Sequence, residues 1–214
     1  DQLRAMKVFD DTLILFMSDN GASAEVMVRG DGHDPKDPLG SAFTYLCLGA
    51  GWSTASNTPF RMHKTWVHEG GACTPLVAHW PKGIAARGEL RQTQGHVIDV
   101  VPTVLELAGL PQAYPAPNAP AGPGRSLVPV FAKDVVLKRD TLWWAHEGNR
   151  AVRVKDWKLV SAKGQPWELF DLSKDRAEAR NLATRFPAKV KELERVWQMQ
   201  ADQFARDAVG KPQK

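Results

Sequence analysis

Two types of hydrophobic pattern divide the chain near residue 140. Before that point, continuous apolar runs end in turn-forming residues: residues 12–17 stop at Ser-Asp-Asn-Gly (18–21), and residues 75–80 stop at Pro81. Such runs predict strands buried on both faces, as in the parallel sheets of α/β proteins. Residues 96–109 instead carry apolar side chains at helical spacing, which predicts a helix that covers a core.

After residue 140 the pattern becomes short, aromatic and β-branched. Four such segments, separated by turn signals, cover residues 141–144, 151–154, 157–160 and 167–170. They predict an antiparallel meander. Residues 187–206 have a single apolar stripe at helical spacing, which predicts a packed helix. The sequence therefore predicts an α/β fold over residues 1–140, followed over residues 141–214 by a small antiparallel sheet with a packed helix.

Composition excludes several classes of protein. The 214 residues carry a net charge of +4, but no run of Lys or Arg forms a basic patch, so we expect no nucleic-acid partner. No apolar stretch is long enough for a membrane span, so we expect no membrane partner. Two cysteines, Cys47 and Cys73, are too few for a disulfide framework and match no zinc spacing. We expect them to be buried thiols.

The first candidate for chemistry is the pair Asp19 and Asn20, which follows the run 12–17 after Ser18. A carboxylate beside a carboxamide offers two hard oxygen ligands, which suit Ca²⁺ or Mg²⁺. The carboxyl ends of strands in open α/β sheets are also where functional groups collect. Asp-Asn-Gly is equally a good turn sequence, so the residues alone leave a turn and a metal site both open.

The second candidate is a cluster of cations before a glycine pair. Arg61, His63, Lys64 and His68 fall within eight positions, and Gly70-Gly71 follows. A lysine ammonium is a compact charge able to hold a tetrahedral oxyanion, and glycines let the backbone approach another group closely. A solvated, charged loop is the alternative interpretation.

A third segment combines an acid and a histidine, Asp99 and His96, with the helical stripe of residues 96–109. The two side chains have catalytic chemistry. However, most periodic helices exist to cover a core, so we expect Asp99 and His96 to serve packing.

Taken in order, short motifs along residues 1–200 resemble the arylsulfatases, within the alkaline-phosphatase-like superfamily. The matching pieces are residues 11–21 ending in Ser-Asp-Asn-Gly, Asn-Thr-Pro-Phe-Arg (57–61) with Lys64, Glu-Gly-Gly (69–71) with Thr-Pro (74–75), Asp99 with Pro-Thr (102–103), Gly-Arg-Ser-Leu (124–127), Trp-Lys-Leu (157–159) and Glu-Leu-Phe-Asp-Leu (168–172). Each motif alone is weak, but the ordered set is specific.

The resemblance implies the C-terminal part of a mixed-sheet α/β sandwich and a sulfuric ester hydrolase. In that family Asp19 and Asn20 would be metal ligands, usually for Ca²⁺, and Lys64 would be catalytic and bind the sulfate. His68 would be a neighbouring substrate-binding group. The substrate would be a sulfate ester of a small molecule or a carbohydrate. We expect the parent protein to be periplasmic or secreted, although this sequence shows no signal segment.

One departure from the family limits the expected activity. The family's nucleophile is a formylglycine made from the cysteine of Cys-x-Pro/Ala/Ser-x-Arg. Cys47 is followed by Leu-Gly-Ala-Gly, and Cys73-Thr-Pro-Leu-Val lacks the Arg. We therefore expect a catalytically incomplete chain whose partner is a missing N-terminal half of the same domain. Two alternatives stay open: a phosphatase or phosphodiesterase of the same superfamily, and a non-catalytic docking module.

Overall fold

The computed structural model describes residues 1–26, 34–38, 40–44, 47–110 and 122–209. In chain order the elements are α1 (Gln2–Ala5), β1 (Ile14–Met17), α2 (Gly49–Asn57), α3 (Glu69–Ala72), β2 (Leu76–His79), α4 (Val100–Leu107), α5 (Val128–Ala132), β3 (Leu142–His146), β4 (Asn149–Val154), β5 (Trp157–Ser161), β6 (Glu168–Asp171) and α6 (Pro187–Val209). The α/β fold class and the C-terminal sheet with its helix are confirmed.

The chain forms two compact units. The first unit comprises Asp1–Asp19 and Pro75–Arg139, and the second comprises Asn20–Thr74 and Asp140–Lys214. One boundary between the units falls between residues 139 and 140, and residues 20–74 group with the C-terminal sheet. Two sets of contacts join these segments: Val67 packs in a buried apolar cluster with Ala151, Val160, Phe170 and Leu172, and buried charges, described below, link α3 to β5 and β6. The domains 1–140 and 141–214 stay a prediction.

In the first unit, β1 and β2 form an antiparallel pair, with Phe16 opposite Val77. The prediction of strands buried on both faces is wrong for these residues, because the side chains of Phe16 and Val77 are 71% and 55% exposed. On one side, Leu13 and Leu15 line an open apolar cleft together with Val104 and Leu107 of α4 and other residues. A continuous apolar run shows that a strand is hydrophobic. It does not show that other residues of the described chain bury both faces of that strand.

Asp99 is a structural residue, as its place in a periodic helix predicts. Its carboxylate is fully buried; it accepts from the backbone N–H groups of His96 and Arg125, each at 2.8 Å, and pairs with the guanidinium of Arg139. Thr103 donates its hydroxyl to the Asp99 carbonyl and accepts from the Leu127 N–H at 2.8 Å. These bonds fix the start of α4 to residues 125–127. The Asp99 carboxylate therefore has a structural role, because it joins two backbone segments.

In the second unit, β3, β4, β5 and β6 follow one another in a meander. Glu147 and Gly148 form the tight β3–β4 turn, both with positive φ, as a two-residue hairpin with right-handed twist requires. Leu193 of α6 is buried against Val152, Leu159 and Leu169. The predicted meander and packed helix are therefore confirmed.

The two cysteines differ from the sequence-based expectation. Cys47 is exposed and Cys73 is half-buried, so the expectation of two buried thiols is wrong. The Cys73 sulfur accepts from Arg176 at 3.4 Å, at the end of α3. Among the described residues, no helix has both the length and the apolar character needed to cross a membrane.

Candidate functional site

The loop that carries Lys64 runs from the end of α2 to the start of α3 and is fixed by polar side chains. Asn57, the last residue of α2, accepts from the Ala22 N–H at 2.8 Å and donates to the Met62 carbonyl at 3.1 Å. Ser53, one helical turn earlier, donates to the Ala22 carbonyl at 2.9 Å. The Lys64 N–H donates to the same carbonyl at 3.0 Å. The loop is thus tied to the segment that begins at Asn20.

The glycine pair packs against this same loop. A Cβ at Gly70 would lie 2.3 Å from the Arg61 carbonyl oxygen, and one at Gly71 would lie 2.0 Å from that of Trp66. Both distances are far below van der Waals contact, so neither position accepts a side chain without a backbone shift. The close approach predicted for Gly70-Gly71 is therefore an approach to the loop backbone, which shapes the loop around Lys64.

Lys64 itself is presented to solvent from a constrained backbone. Met62 and Thr65, on either side of it, have φ values of 68° and 89°, and strained backbone of this type collects at functional sites. The Lys64 ammonium lies 3.7 Å from a Glu25 carboxylate oxygen, and the two side chains are 42% and 49% exposed. Exposed ion pairs of this kind are weak, so an incoming anion can displace Glu25.

Asp19 and Asn20 follow the end of β1 after a single residue, Ser18, as predicted. Asp19 is exposed and belongs to the first unit, whereas Asn20 is half-buried and belongs to the second. The Asn20 amide nitrogen donates to the Gly21 carbonyl at 2.9 Å, so its amide oxygen is the atom suited to a cation. The two residues fit Ca²⁺ in chemistry, but they supply far fewer than the six to eight oxygens that Ca²⁺ takes.

The described residues contain no group of three or more His, Cys, Asp or Glu side chains that could hold a metal. The calcium site at Asp19 and Asn20 remains a prediction, as does its convergence with Lys64.

His68 lies in the protein interior. Its side chain is fully buried, and its Nε2 is 2.9 Å from a Glu168 carboxylate oxygen, whereas its Nδ1 has no hydrogen-bond partner among the described residues. Burial lowers the pKa of His68 despite the hydrogen bond to Glu168, which acts to raise it. A neutral ring then donates from Nε2, because an ionised carboxylate can only accept. In the described chain His68 therefore holds other side chains in place, and the predicted contact with substrate stays untested.

A cluster of charges surrounds His68, and the sequence analysis did not assemble it. Its members, which we call the buried ionic cluster, are Arg61, His68, Glu69, Lys158, Glu168 and Glu178. The Lys158 ammonium lies 2.7 Å from Glu69 and 2.9 Å from Glu178, and both Lys158 and Glu178 are fully buried. Burial alone would raise the pKa of Glu69, but the adjacent Lys158 charge overrides burial and lowers it.

The buried ionic cluster connects the Lys64 loop to the C-terminal sheet. Arg61, at the start of the loop, donates to a Glu168 carboxylate oxygen and to the Glu178 carbonyl, each at 3.1 Å. Glu178 in turn accepts from the Glu69 N–H at 2.8 Å, at the start of α3. One sequence signal was available: Lys158 interrupts an apolar strand, and a buried lysine requires paired carboxylates.

The second unit is expected to lose stability as the pH falls below neutral. The pKa of His68 in the folded chain lies below its ordinary value of 6.5. At a pH between these two pKa values, His68 is therefore protonated in the unfolded chain and neutral in the folded chain. The contribution of neutral His68 is therefore complete above pH 6.5 and is lost as the pH falls from there to the folded pKa. Urea midpoints measured by tryptophan fluorescence from about pH 7.5 to about pH 5.5 test this.

The matched control for the pH experiment is His68→Gln, whose amide can donate to Glu168 but does not titrate. Its urea midpoint should depend less on pH than that of the unmodified chain. Burial also lowers the pKa of His96, but His96 belongs to the first unit. Seven of the eight tryptophans, all but Trp80, belong to the second unit, so the fluorescence reports mainly on that unit. Equal slopes in both proteins would contradict the prediction.

The chain is similar to known sulfatases along most of its length. The family model named Sulfatase matches residues 1–110, and the model named N-sulphoglucosamine sulphohydrolase, C-terminal, matches residues 60–203. An uncharacterized sulfatase of Schizosaccharomyces pombe is 29% identical, covering 92% of this chain and 39% of that protein. The N-acetylgalactosamine-6-sulfatase of Homo sapiens is 27% identical, covering 85% of this chain and 30% of that protein.

A similar solved structure is Ps i-CgsB in complex with k-i-k-neocarrahexaose. It is 25% identical, with a TM-score of 0.66, and the match covers 92% of this chain and 38% of that one. This chain thus spans about two fifths or less of the length of these proteins. The matched regions include the Lys64 loop, the glycine pair and the C-terminal sheet.

Proposed function

We propose that this chain, which belongs to the sulfatase family, forms the sulfate-binding part of a sulfuric ester hydrolase. The observation that carries the proposal is the presentation of Lys64. Its loop is fixed by Asn57, Ser53 and the close packing of Gly70-Gly71, while its ammonium stays half-exposed beside Glu25. A positioned cation of this kind stabilises charge that grows on the sulfuryl oxygens during ester cleavage.

The remaining chemistry would need groups in addition to Lys64. Asp19 and Asn20 would hold Ca²⁺, which when bound polarises the sulfate. A formylglycine nucleophile would complete the reaction, but this sequence lacks a Cys-x-Pro/Ala/Ser-x-Arg motif. Within this chain, the roles we assign are sulfate binding to Lys64, loop positioning to Asn57 and cluster positioning to His68.

We propose sulfated carbohydrates as the substrate class. One of the similar proteins is named for a sulfated sugar, an N-acetylgalactosamine-6-sulfatase, and another was solved in complex with k-i-k-neocarrahexaose. The second family model is likewise named for a sulfated amino sugar. A small aryl sulfate is still the simplest probe, because it tests the ester cleavage without the sugar.

The 214-residue chain alone is expected to show no turnover of an aryl sulfate such as 4-nitrophenyl sulfate. The physical reason is that the sequence has no site for the family's nucleophile, and nucleophilic catalysis of this type requires one. Release of 4-nitrophenol by the purified chain measures this. Turnover that survives replacement of both Cys47 and Cys73 by serine would show that our account of the missing nucleophile is wrong.

The same assay separates the rival reactions. A phosphatase or phosphodiesterase of the alkaline-phosphatase-like superfamily would share the fold, so the fold does not decide between them. A full-length protein that contains this chain should hydrolyse 4-nitrophenyl sulfate faster than 4-nitrophenyl phosphate. The opposite preference would favour phosphoryl chemistry, and no turnover of either would favour a docking module.

A further inference from the structure

Beside the Lys64 loop lies an open cleft of about 440 Å³ that the roles above do not use. Three segments of the second unit form its walls: loop residues 62–66, the β3–β4 turn at Glu147, and the segment after β5 from Ala162 to Gln165. The residues on both sides of Lys64, including Thr65 and Trp66, line it. We call it the turn cleft. Two of its lining residues, Thr65 and Trp66, directly follow Lys64 in the same loop.

One buried residue joins all three walls. Asn149, at the start of β4, is only 3% exposed. Its amide nitrogen donates to the carbonyls of Thr65 and His146, each at 3.1 Å, and its amide oxygen accepts from the Lys163 N–H at 3.1 Å. The walls of the turn cleft are therefore held in place without a ligand, and ligand-binding sites are usually preformed in this way.

The residues that line the turn cleft include types that suit a carbohydrate site. Trp66 is half-buried and supplies an apolar ring with a polar N–H. Lys163 and Gln165 are exposed, and among the described residues neither side chain has an ion-pair or hydrogen-bond partner. Sugars present both an apolar ring face and a set of hydroxyl oxygens. A flat aromatic surface beside unpaired donors matches those two features together.

The aliphatic part of Lys163 is also held in place. A Cβ at Gly148 would lie 3.0 Å from Lys163 Cγ, so the lysine stem lies across the β3–β4 turn. The ammonium then extends from a positioned stem at the rim of the cleft, at low cost in side-chain entropy. Glu147, on the same turn, supplies an acceptor for sugar hydroxyl groups.

We propose that the turn cleft binds the sugar unit bonded to the sulfated one, so that this chain selects sulfated oligosaccharides over sulfated monosaccharides. Trp66 packs against the ring of the neighbouring unit, and Lys163 and Gln165 donate to its oxygens. The inference rests on the proposed function, because the sulfated unit itself is held at Lys64. The inference adds two specificity-determining residues, Lys163 and Gln165, which lie 99 and 101 positions after Lys64 in the sequence.

The test uses the full-length sulfatase that contains this chain and compares substrates of different length. The probes are 4-nitrophenyl sulfate, N-acetylgalactosamine 6-sulfate, and hexasaccharides of chondroitin 6-sulfate, heparin and carrageenan. At least one hexasaccharide should have a kcat/KM about tenfold or more above that of the monosaccharide. In Lys163→Ala/Gln165→Ala, the ratio of hexasaccharide to 4-nitrophenyl sulfate kcat/KM should fall by about tenfold.

The matched control is Lys155→Ala, an exposed lysine in the β4–β5 turn at the opposite end of the same sheet. It should leave the ratio unchanged. Since Lys163 and Gln165 are exposed, the double variant should fold, and Trp66→Leu, checked by thermal unfolding, should lower the same ratio.

The outcomes separate this inference from the proposed function. If 4-nitrophenyl sulfate is hydrolysed but no hexasaccharide is preferred, or if the double variant leaves the ratio unchanged, the turn cleft is not a subsite. If the unmodified protein hydrolyses no sulfate ester at all, the proposed function itself fails, and this inference falls with it.

Discussion

Replacing Lys64 with alanine in a full-length sulfatase that contains this chain should lower kcat for 4-nitrophenyl sulfate by about 10²–10³. The expected loss is large because the ammonium stabilises charge that grows on the sulfuryl oxygens. Water that fills the space left by the lysine cannot stabilise that charge equally well. The fold should remain, since the side chain is half-exposed and its ion pair with Glu25, the one found among the described residues, is a weak surface contact. Steady-state kinetics and thermal unfolding of the same preparation measure the two effects separately.

Two controls make the Lys64 experiment specific. Lys155→Ala removes an exposed lysine from a turn of the C-terminal sheet and should change kcat by less than about twofold, since surface substitutions have small effects. Lys64→Arg keeps the charge but changes its shape, so it should restore only part of the activity. Kinetics unchanged by Lys64→Ala would remove Lys64 from the site. The same loss with a lowered unfolding temperature would indicate a structural role instead.

The parts of the fold that the sequence predicted are those with a local period. The four strands of the meander and helix α6 each repeat their apolar residues at the spacing of their own secondary structure, and the structure contains all of them. Helix α2 was not predicted, because residues 49–57 have no apolar stripe. Its buried residues are Ser53 and Asn57, and their polar bonds to Ala22 hold the helix in place. A hydrophobic pattern does not detect a helix held by hydrogen bonds.

The same distinction applies to the site. Lys64 could be proposed because charge and glycine are concentrated in one short segment. The buried ionic cluster could not be assembled from the sequence, because its partners are far apart along the chain: Lys158 and Glu69 are separated by 89 residues. Only the fold brings β5 beside α3. The turn cleft was missed for the same reason, since Trp66 and Lys163 come from segments with no common pattern.

Lys158→Met should lower the free energy of unfolding of the second unit by about 3–5 kcal/mol, the usual cost of removing one partner of a buried ion pair. Methionine matches the lysine stem in length and shape, so little packing is lost. The cost arises because Glu69 and Glu178 would face each other in the interior without a cation between them, 5% and 0% exposed. Urea denaturation followed by tryptophan fluorescence measures the loss.

A second variant tests whether charge, and not packing, causes the loss of stability in Lys158→Met. If uncompensated carboxylates cause the loss, then Lys158→Met/Glu69→Gln/Glu178→Gln should recover a substantial part of it, because the remaining amides are neutral. Lys155→Met, on the exposed β4–β5 turn, should cost less than about 0.5 kcal/mol. A loss that the triple variant does not reduce would point to packing instead of charge. A loss below about 1 kcal/mol would mean that the buried ionic cluster does not stabilise the second unit, and the Lys64 loop would then need another anchor than Arg61 and Glu69.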